Sequence, residues 1–196
     1  FTEDSINNSL LSLSNQLRSD NFNSWLTPYN LSNSGEGKRV LLVMAGNIPL
    51  VGFHDFLSVI VSGNKAVVKL SSNDSVLLPY LWEVLCKINP KLSDKLEYIE
   101  NLKEKKFDAV IATGSDNSSK YFEYYFKNVR RIIRKNRRSV AVLNGKETDE
   151  EMKGLASDIF LYFGLGCRNV SKVFLPKEYN LDKLFEVFFP FQDIVN

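Results

Sequence analysis

The sequence predicts an α/β fold built on a mostly parallel sheet. Three observations carry this: short apolar runs rich in Val, Ile and Leu, helix-periodic stretches between them, and Gly-, Asn- or Ser-containing turns at the junctions. RVLLVMA (39–45), KAVVKL (65–70), FDAVIAT (107–113), SVAVLN (139–144) and KVFL (172–175) read as strands. In such sheets binding sites lie beyond the carboxyl ends of the strands.

The intervening elements follow in order. Ile6, Leu10, Leu13 and Leu17 recur at three- and four-residue spacing, which predicts an amphipathic helix over 5–18. The stretch 27–38, TPYNLSNSGEGK, reads as a loop. PLVGFHDFLSVIVSG (49–63) reads as a helix ended by Gly63. DSVLLPYLWEVLCKI (74–88) is a second such helix, with Pro79 tolerable only in its first turn. SDNSSKYFEYYFKNV (115–129) is a third. In TDEEMKGLASDIFLYFG, Thr148 and Glu151 have capping-box spacing. DKLFEVFF (182–189) closes the chain as a helix.

The global figures bound the function. The chain has 196 residues, 44% hydrophobic and 24% charged, enough to bury a core. A net charge of +2 does not point to nucleic acid or acidic lipid. Two separated cysteines make no disulfide framework, and a reducing cytoplasm is the expected location. No stretch reads as a signal peptide or a bilayer span, since the longest apolar run is broken by Asn47 and Pro49. Phe1 in place of Met, and the apolar ending FFPFQDIVN, lead us to expect a piece of a longer protein.

Several strand ends carry residues fit for chemistry. After RVLLVMA, Asn47 lies in a Gly-Asn-Ile-Pro turn. Its amide can donate to an oxygen carrying developing charge, or bond its own backbone as turn asparagines do. Lys69, Ser71 and Ser72 leave the second strand, where a lysine with small hydroxyls suits a ribose or phosphate, or is an ordinary solvated exit. Gly114 and Ser115 stand between a strand and a helix. They suit a pyrophosphate at the helix N-terminus, or a serine N-cap. Neither common nucleotide fingerprint is present.

The two cysteines differ. Cys86 sits among apolar residues at helical spacing and reads as core. Cys167 lies in GLGCRNV, after two glycines and before Arg168, whose charge favours a thiolate. It is a candidate nucleophile or a small residue filling a tight turn. His54, the one histidine, is a candidate proton donor or a packing residue. RRIIRKNRR (130–138) suits a nucleic-acid patch, or an edge strand whose charges block further pairing; Ile132 and Ile133 favour the edge strand.

The order AGNIPL, SGNKAVVKLSSND, ATGSDNSSKYF, VLNGK, GLGCRNVSKVFL resembles the aldehyde dehydrogenase superfamily over about residues 38–176. Within it, the chain most resembles the long-chain acyl-CoA reductases that form fatty aldehydes in bacterial luminescence. The resemblance implies a Rossmann-like NADP(H)-binding domain over 1–143 and the beginning of an α/β catalytic domain over 144–196. It implies that Cys167 is the catalytic cysteine and Asn47 the oxyanion donor. Lys69, with Ser71 and Ser72, would meet the adenosine ribose, and Gly114 and Ser115 the pyrophosphate. Ser72 stands where NAD-specific members carry a glutamate, which implies NADPH as the cofactor. Val142 stands where hydrolytic members carry a glutamate base, and Asn144 departs from the second glycine-type position. The missing glutamate at Val142 suits reduction of an acyl thioester, with acyl-CoA as substrate, rather than acid formation. An acyl phosphate is the alternative substrate on the same fold. A homo-oligomer is open for the complete protein.

Overall fold

The computed structural model describes residues 1–31, 37–102 and 106–195. Part of the loop expected over 27–38 lies outside them. The chain divides into two compact units, Phe1–Lys135 and Asn136–Asn196.

The first unit is built on a five-stranded sheet of order β3-β2-β1-β4-β5. The strands are β1 (Arg39–Val43), β2 (Lys65–Lys69), β3 (Leu96–Tyr98), β4 (Ala109–Thr113) and β5 (Arg130–Arg134), and every pairing is parallel. Its helices are α1 (Glu3–Gln16), α2 (Ser19–Leu26), α3 (Phe53–Val61), α4 (Leu77–Ile88) and α5 (Asp116–Tyr125). The period of two along β1 explains the layering. Val40 and Leu42 join Ala66, Val68, Phe56, Val59 and Trp82 in one core cluster, while Leu41 joins Val110, Ala112 and Phe126 in another. Helices thus cover both faces, which is why the central strands read as unbroken apolar runs.

Local signals in the sequence are realised here. Pro79 occupies the third residue of α4, inside its first turn. Gly63 takes φ 78° just beyond α3 and stops it. Arg130–Arg134 is the outer strand of the sheet, as Ile132 and Ile133 suggested. Two of its arginines are engaged within this unit, Arg134 with Asp55 and Arg131 with the Phe126 and Lys127 carbonyls; just beyond the strand, Lys135 pairs with Glu123. Cys86 packs, partly buried, against the first core cluster.

Other expectations are corrected. Two elements were not anticipated, the eight-residue α2 and the three-residue β3. α3 begins at Phe53 rather than Pro49, because Leu50 adopts φ 57° and gives its N–H to Asp74. α4 begins at Leu77 rather than Asp74, because Asp74 bridges back to Ser71.

The second unit contains β6 (Ser139–Val142), α6 (Asp149–Phe160), β7 (Val170–Phe174) and α7 (Leu181–Phe188). β6 and β7 pair in parallel across the helical crossover. Strand 139–142 belongs to a different sheet from β1–β5 and lies in the second compact unit. Met152, Leu155 and Leu184 form the core of this unit. The Thr148–Glu151 capping box is complete, with reciprocal bonds of 3.2 and 2.8 Å. Among the described residues no helix is long and apolar enough to cross a membrane.

Candidate functional site

The sheet order places a reversal of direction at β1. The chain runs outward from β1 through β2 to β3, then returns to β4 on the other side. The loops after β1 and β4 therefore flank a topological switch point at the carboxyl edge, where open parallel sheets bind ligands. Asn47 lies in the first of these loops and Gly114 and Ser115 in the second. Lys69, Ser71 and Ser72 leave the neighbouring β2. The first unit thus collects, at one edge of one sheet, six of the seven residues to which the resemblance gives a catalytic or cofactor-binding role.

These loops are interlocked. Gly46 is buried, and a Cβ there would lie 2.5 Å from the Ser71 Oγ, 2.7 Å from its Cβ and 3.1 Å from the Asp74 nitrogen. Only glycine lets the β1 loop approach the β2 loop this closely. The Asp74 carboxylate accepts from the Leu50 N–H at 2.8 Å, tying the same two loops a second time. Leu50 is held in the left-handed region by this bond and by its burial. Asp74 is thereby turned inward, and Ser72 is left exposed at the loop tip. On the opposite flank the Ser9 hydroxyl, buried on α1, donates to the Pro49 carbonyl at 2.8 Å. The segment bearing Asn47 is held from both sides.

The β4 loop is equally tight. A Cβ on Gly114 would meet Ser118 Cβ at 2.9 Å and the Phe122 ring at 3.1 Å. The Gly114 N–H donates to the Arg134 carbonyl at 3.1 Å. The Ser115 hydroxyl accepts from the Ser118 N–H at 3.2 Å and so caps α5. Arg134 closes this side with a bidentate pair to Asp55 in the first turn of α3, at 2.7 and 3.1 Å. The pairing of Asp55 with Arg134 was not read from the sequence, because residues 79 apart show no local pattern.

In the second unit Cys167 is exposed on a turn closed by the Asn169 N–H donating to the Gly166 carbonyl at 3.0 Å. Just before it, Tyr162, Phe163 and Gly164 all take positive φ, at 55°, 57° and 68°. Left-handed geometry costs a residue with a Cβ roughly 1–2 kcal/mol. Asn169 offsets this cost. Its side-chain amide donates to the carbonyls of Asp158, Ile159 and Leu161 at 2.8, 3.3 and 3.0 Å, capping the end of α6. Asn169 is the residue that sequence reasoning missed, although it stands two places after the cysteine.

The remaining candidates sort as follows. Val142 lies on β6 with its side chain 75% exposed, and Asn144 follows in a turn. The N–H groups of Asn144 and Gly145 donate to Glu147, and the Asn144 bond above all holds that carboxyl below its usual range. His54 lies on α3 against the Trp25 ring, with centroids 5.3 Å apart.

Comparison with known proteins fits this geometry. The chain matches the profile of the family described as acyl-CoA reductase (LuxC) over residues 20–186. No curated protein matches it in sequence. Among solved structures it resembles Proline Utilization A from Corynebacterium freiburgense, with TM-score 0.66 and 16% identity over 78% of this chain. It also resembles an aldehyde dehydrogenase from Bacillus cereus solved with NAD+, with TM-score 0.64 and 16% identity over 79% of this chain. A mutant propionaldehyde dehydrogenase from Clostridium phytofermentans aligns with TM-score 0.64 and 9% identity over 78%. The chain spans 17%, 34% and 38% of these three proteins respectively. At such identities the likeness is one of fold, and the fold is that of aldehyde dehydrogenases. With 167 of 196 residues inside the family match, the chain belongs to the acyl-CoA reductase (LuxC) family.

Proposed function

We propose that this chain carries the cofactor-binding region and the nucleophile of a cytoplasmic, NADPH-dependent reductase that converts an acyl-CoA to an aldehyde. The observation that carries the reading is Cys167: an exposed thiol on a turn fastened by Asn169, in a member of an acyl-CoA reductase family.

The Cys167 thiolate attacks the thioester carbonyl carbon, and the C–S bond to coenzyme A breaks. Coenzyme A leaves as its thiol after taking a proton, and the acyl group stays on Cys167 as a new thioester. The oxyanion of the tetrahedral intermediate takes a hydrogen bond from an amide donor, the role that the family resemblance assigns to Asn47. NADPH, when bound, supplies the hydride that brings the acyl carbon to the aldehyde level. Breakage of the remaining C–S bond then frees the aldehyde and returns Cys167. Val142 presents no titratable group, so the side chain at that position cannot activate water against the acyl-cysteine.

The chain's own residues fit such a dinucleotide. Gly46 and Gly114 bring backbone close at both loops of the switch point, and Lys69 adds a cation at the end of β2. The inward turn of Asp74 leaves Ser72 exposed, and a neutral hydroxyl donor suits a 2′-phosphate where a carboxylate would repel it. The capping role of Ser115 means that it would serve by shaping the first turn of α5 rather than by lending its hydroxyl.

Incubation of the whole protein with an acyl-CoA, followed by peptide mapping, tests the reading. The expected adduct is on Cys167 alone and is absent in Cys167→Ala. An adduct on the partly buried Cys86, or none, would contradict it.

A further inference from the structure

We propose that Arg134 and Asp55 are positioning residues for the dinucleotide: their ion pair fixes the separation of the β1 and β4 loops, and so governs affinity for a ligand that spans both. The inference rests on the cofactor reading above and lies wholly within the first unit.

The period of two along β5 sets the direction of Arg134. Ile133 packs against the cluster of Leu41, Val110 and Phe126, so Arg134 stands on the opposite face of the sheet, the face that α3 covers with Phe56 and Val59. α3 packs against β1 and β2, whereas β5 lies on the far side of β4. To meet Asp55, the Arg134 side chain therefore crosses the carboxyl end of β4. Two strand spacings amount to about 10 Å, and the ion pair closes that gap beside the switch point.

Arg134 holds both flanks at once. Its guanidinium makes bonds of 2.7 and 3.1 Å to Asp55 in the first turn of α3, the helix that follows the Asn47 loop. Its carbonyl accepts the Gly114 N–H at 3.1 Å in the β4 loop. A guanidinium fork on a carboxylate fixes direction as well as distance. The Ser9 and Asp74 ties of the Asn47 segment lead to α1 and to the β2 loop, and the Asp55 pair leads to the β4 side. The Asp55 side chain is 18% exposed and that of Arg134 37%, so solvent screens the pair in part.

The test compares two ligands on the whole protein. NADPH, titrated by fluorescence, spans the two loops. Adenosine 2′,5′-bisphosphate, titrated by calorimetry, carries the adenosine half alone and needs only the exit of β2. Asp55→Asn keeps the shape of the side chain and removes its charge. It should raise the dissociation constant for NADPH about tenfold and leave that of the bisphosphate within about twofold. Arg134→Gln should do the same, and the two changes together should cost no more than either alone. Circular dichroism checks the fold, and Arg134→Gln carries the test if Asp55→Asn does not fold. Equal weakening of both ligands would mark a general loss of structure and overturn the positioning role. So would an unchanged NADPH affinity, or a bisphosphate that does not bind the unmodified protein. Failure of the unmodified protein to bind NADPH would overturn the cofactor reading and this inference with it.

Discussion

The loops at the carboxyl edge of the first unit and the cysteine turn of the second are built in opposite ways. In the first unit, close backbone approach at Gly46 and Gly114 and the Asp74–Leu50 bond knit neighbouring loops into the core. In the second, Cys167 stands exposed beyond three left-handed residues, fastened to α6 through the single side chain of Asn169. The difference teaches where each task can be done. Under the proposed function, a surface that presents fixed donors to a cofactor gains from dense packing. A nucleophile that is acylated and released needs access instead, and its position rests on a few hydrogen bonds.

If this contrast is right, a methyl group should do more damage at Gly46 than a lost amide does at Asn169. Gly46→Ala drives a Cβ to within 2.5 Å of Ser71 Oγ, and overpacking of this kind costs up to about 3 kcal/mol. The melting temperature should fall and cofactor affinity with it, and Ser71→Gly in the same chain should restore part of both. Independent, additive effects would show that the two loops are not interlocked.

Asn169→Ala removes an amide that donates to three carbonyls, a loss of about 2 kcal/mol confined to the cysteine turn. Turnover and the rate of Cys167 acylation should fall about tenfold, while cofactor titration is unchanged. A fall in cofactor affinity of the same size would contradict the separation of roles.

The smallest expected effect is at Ser72, exposed at the tip of the packed region. Ser72→Glu should lower the ratio of NADPH to NADH affinity about tenfold by placing a carboxylate where the proposed function has a neutral hydroxyl facing the 2′-phosphate. Fluorescence titration with each cofactor measures the ratio, and an unchanged ratio would mean that Ser72 does not read the ribose.

The sequence revealed those features whose signal is local. Strands showed as apolar runs because both faces of the sheet are covered, and Pro79, Gly63 and the Thr148–Glu151 box marked helix ends. β3 escaped because three residues carry no readable alternation, and α2 because its eight residues include only Phe22, Trp25 and Leu26 as apolar positions. The expected starts of α3 and α4 were early because Leu50 gives its N–H to Asp74, 24 residues further on, and Asp74 in turn bridges back to Ser71. The placement of β6 depended on its pairing with β7, a contact that no window of sequence contains. At the site, the edge residues were legible because strand ends and glycines punctuate the chain. The Arg134–Asp55 pair and the Asn169 clasp are tertiary and were not.

The central claim is that Cys167 carries the acyl group between the two halves of the reaction. Intact-mass measurement of the whole protein after acyl-CoA treatment, then again after an NADPH chase, tests it most directly. The account predicts a stable gain of one acyl mass that persists without reduced cofactor and disappears on the chase with one equivalent of aldehyde formed. Release of free fatty acid before the chase, or aldehyde formed while the adduct remains, would contradict it.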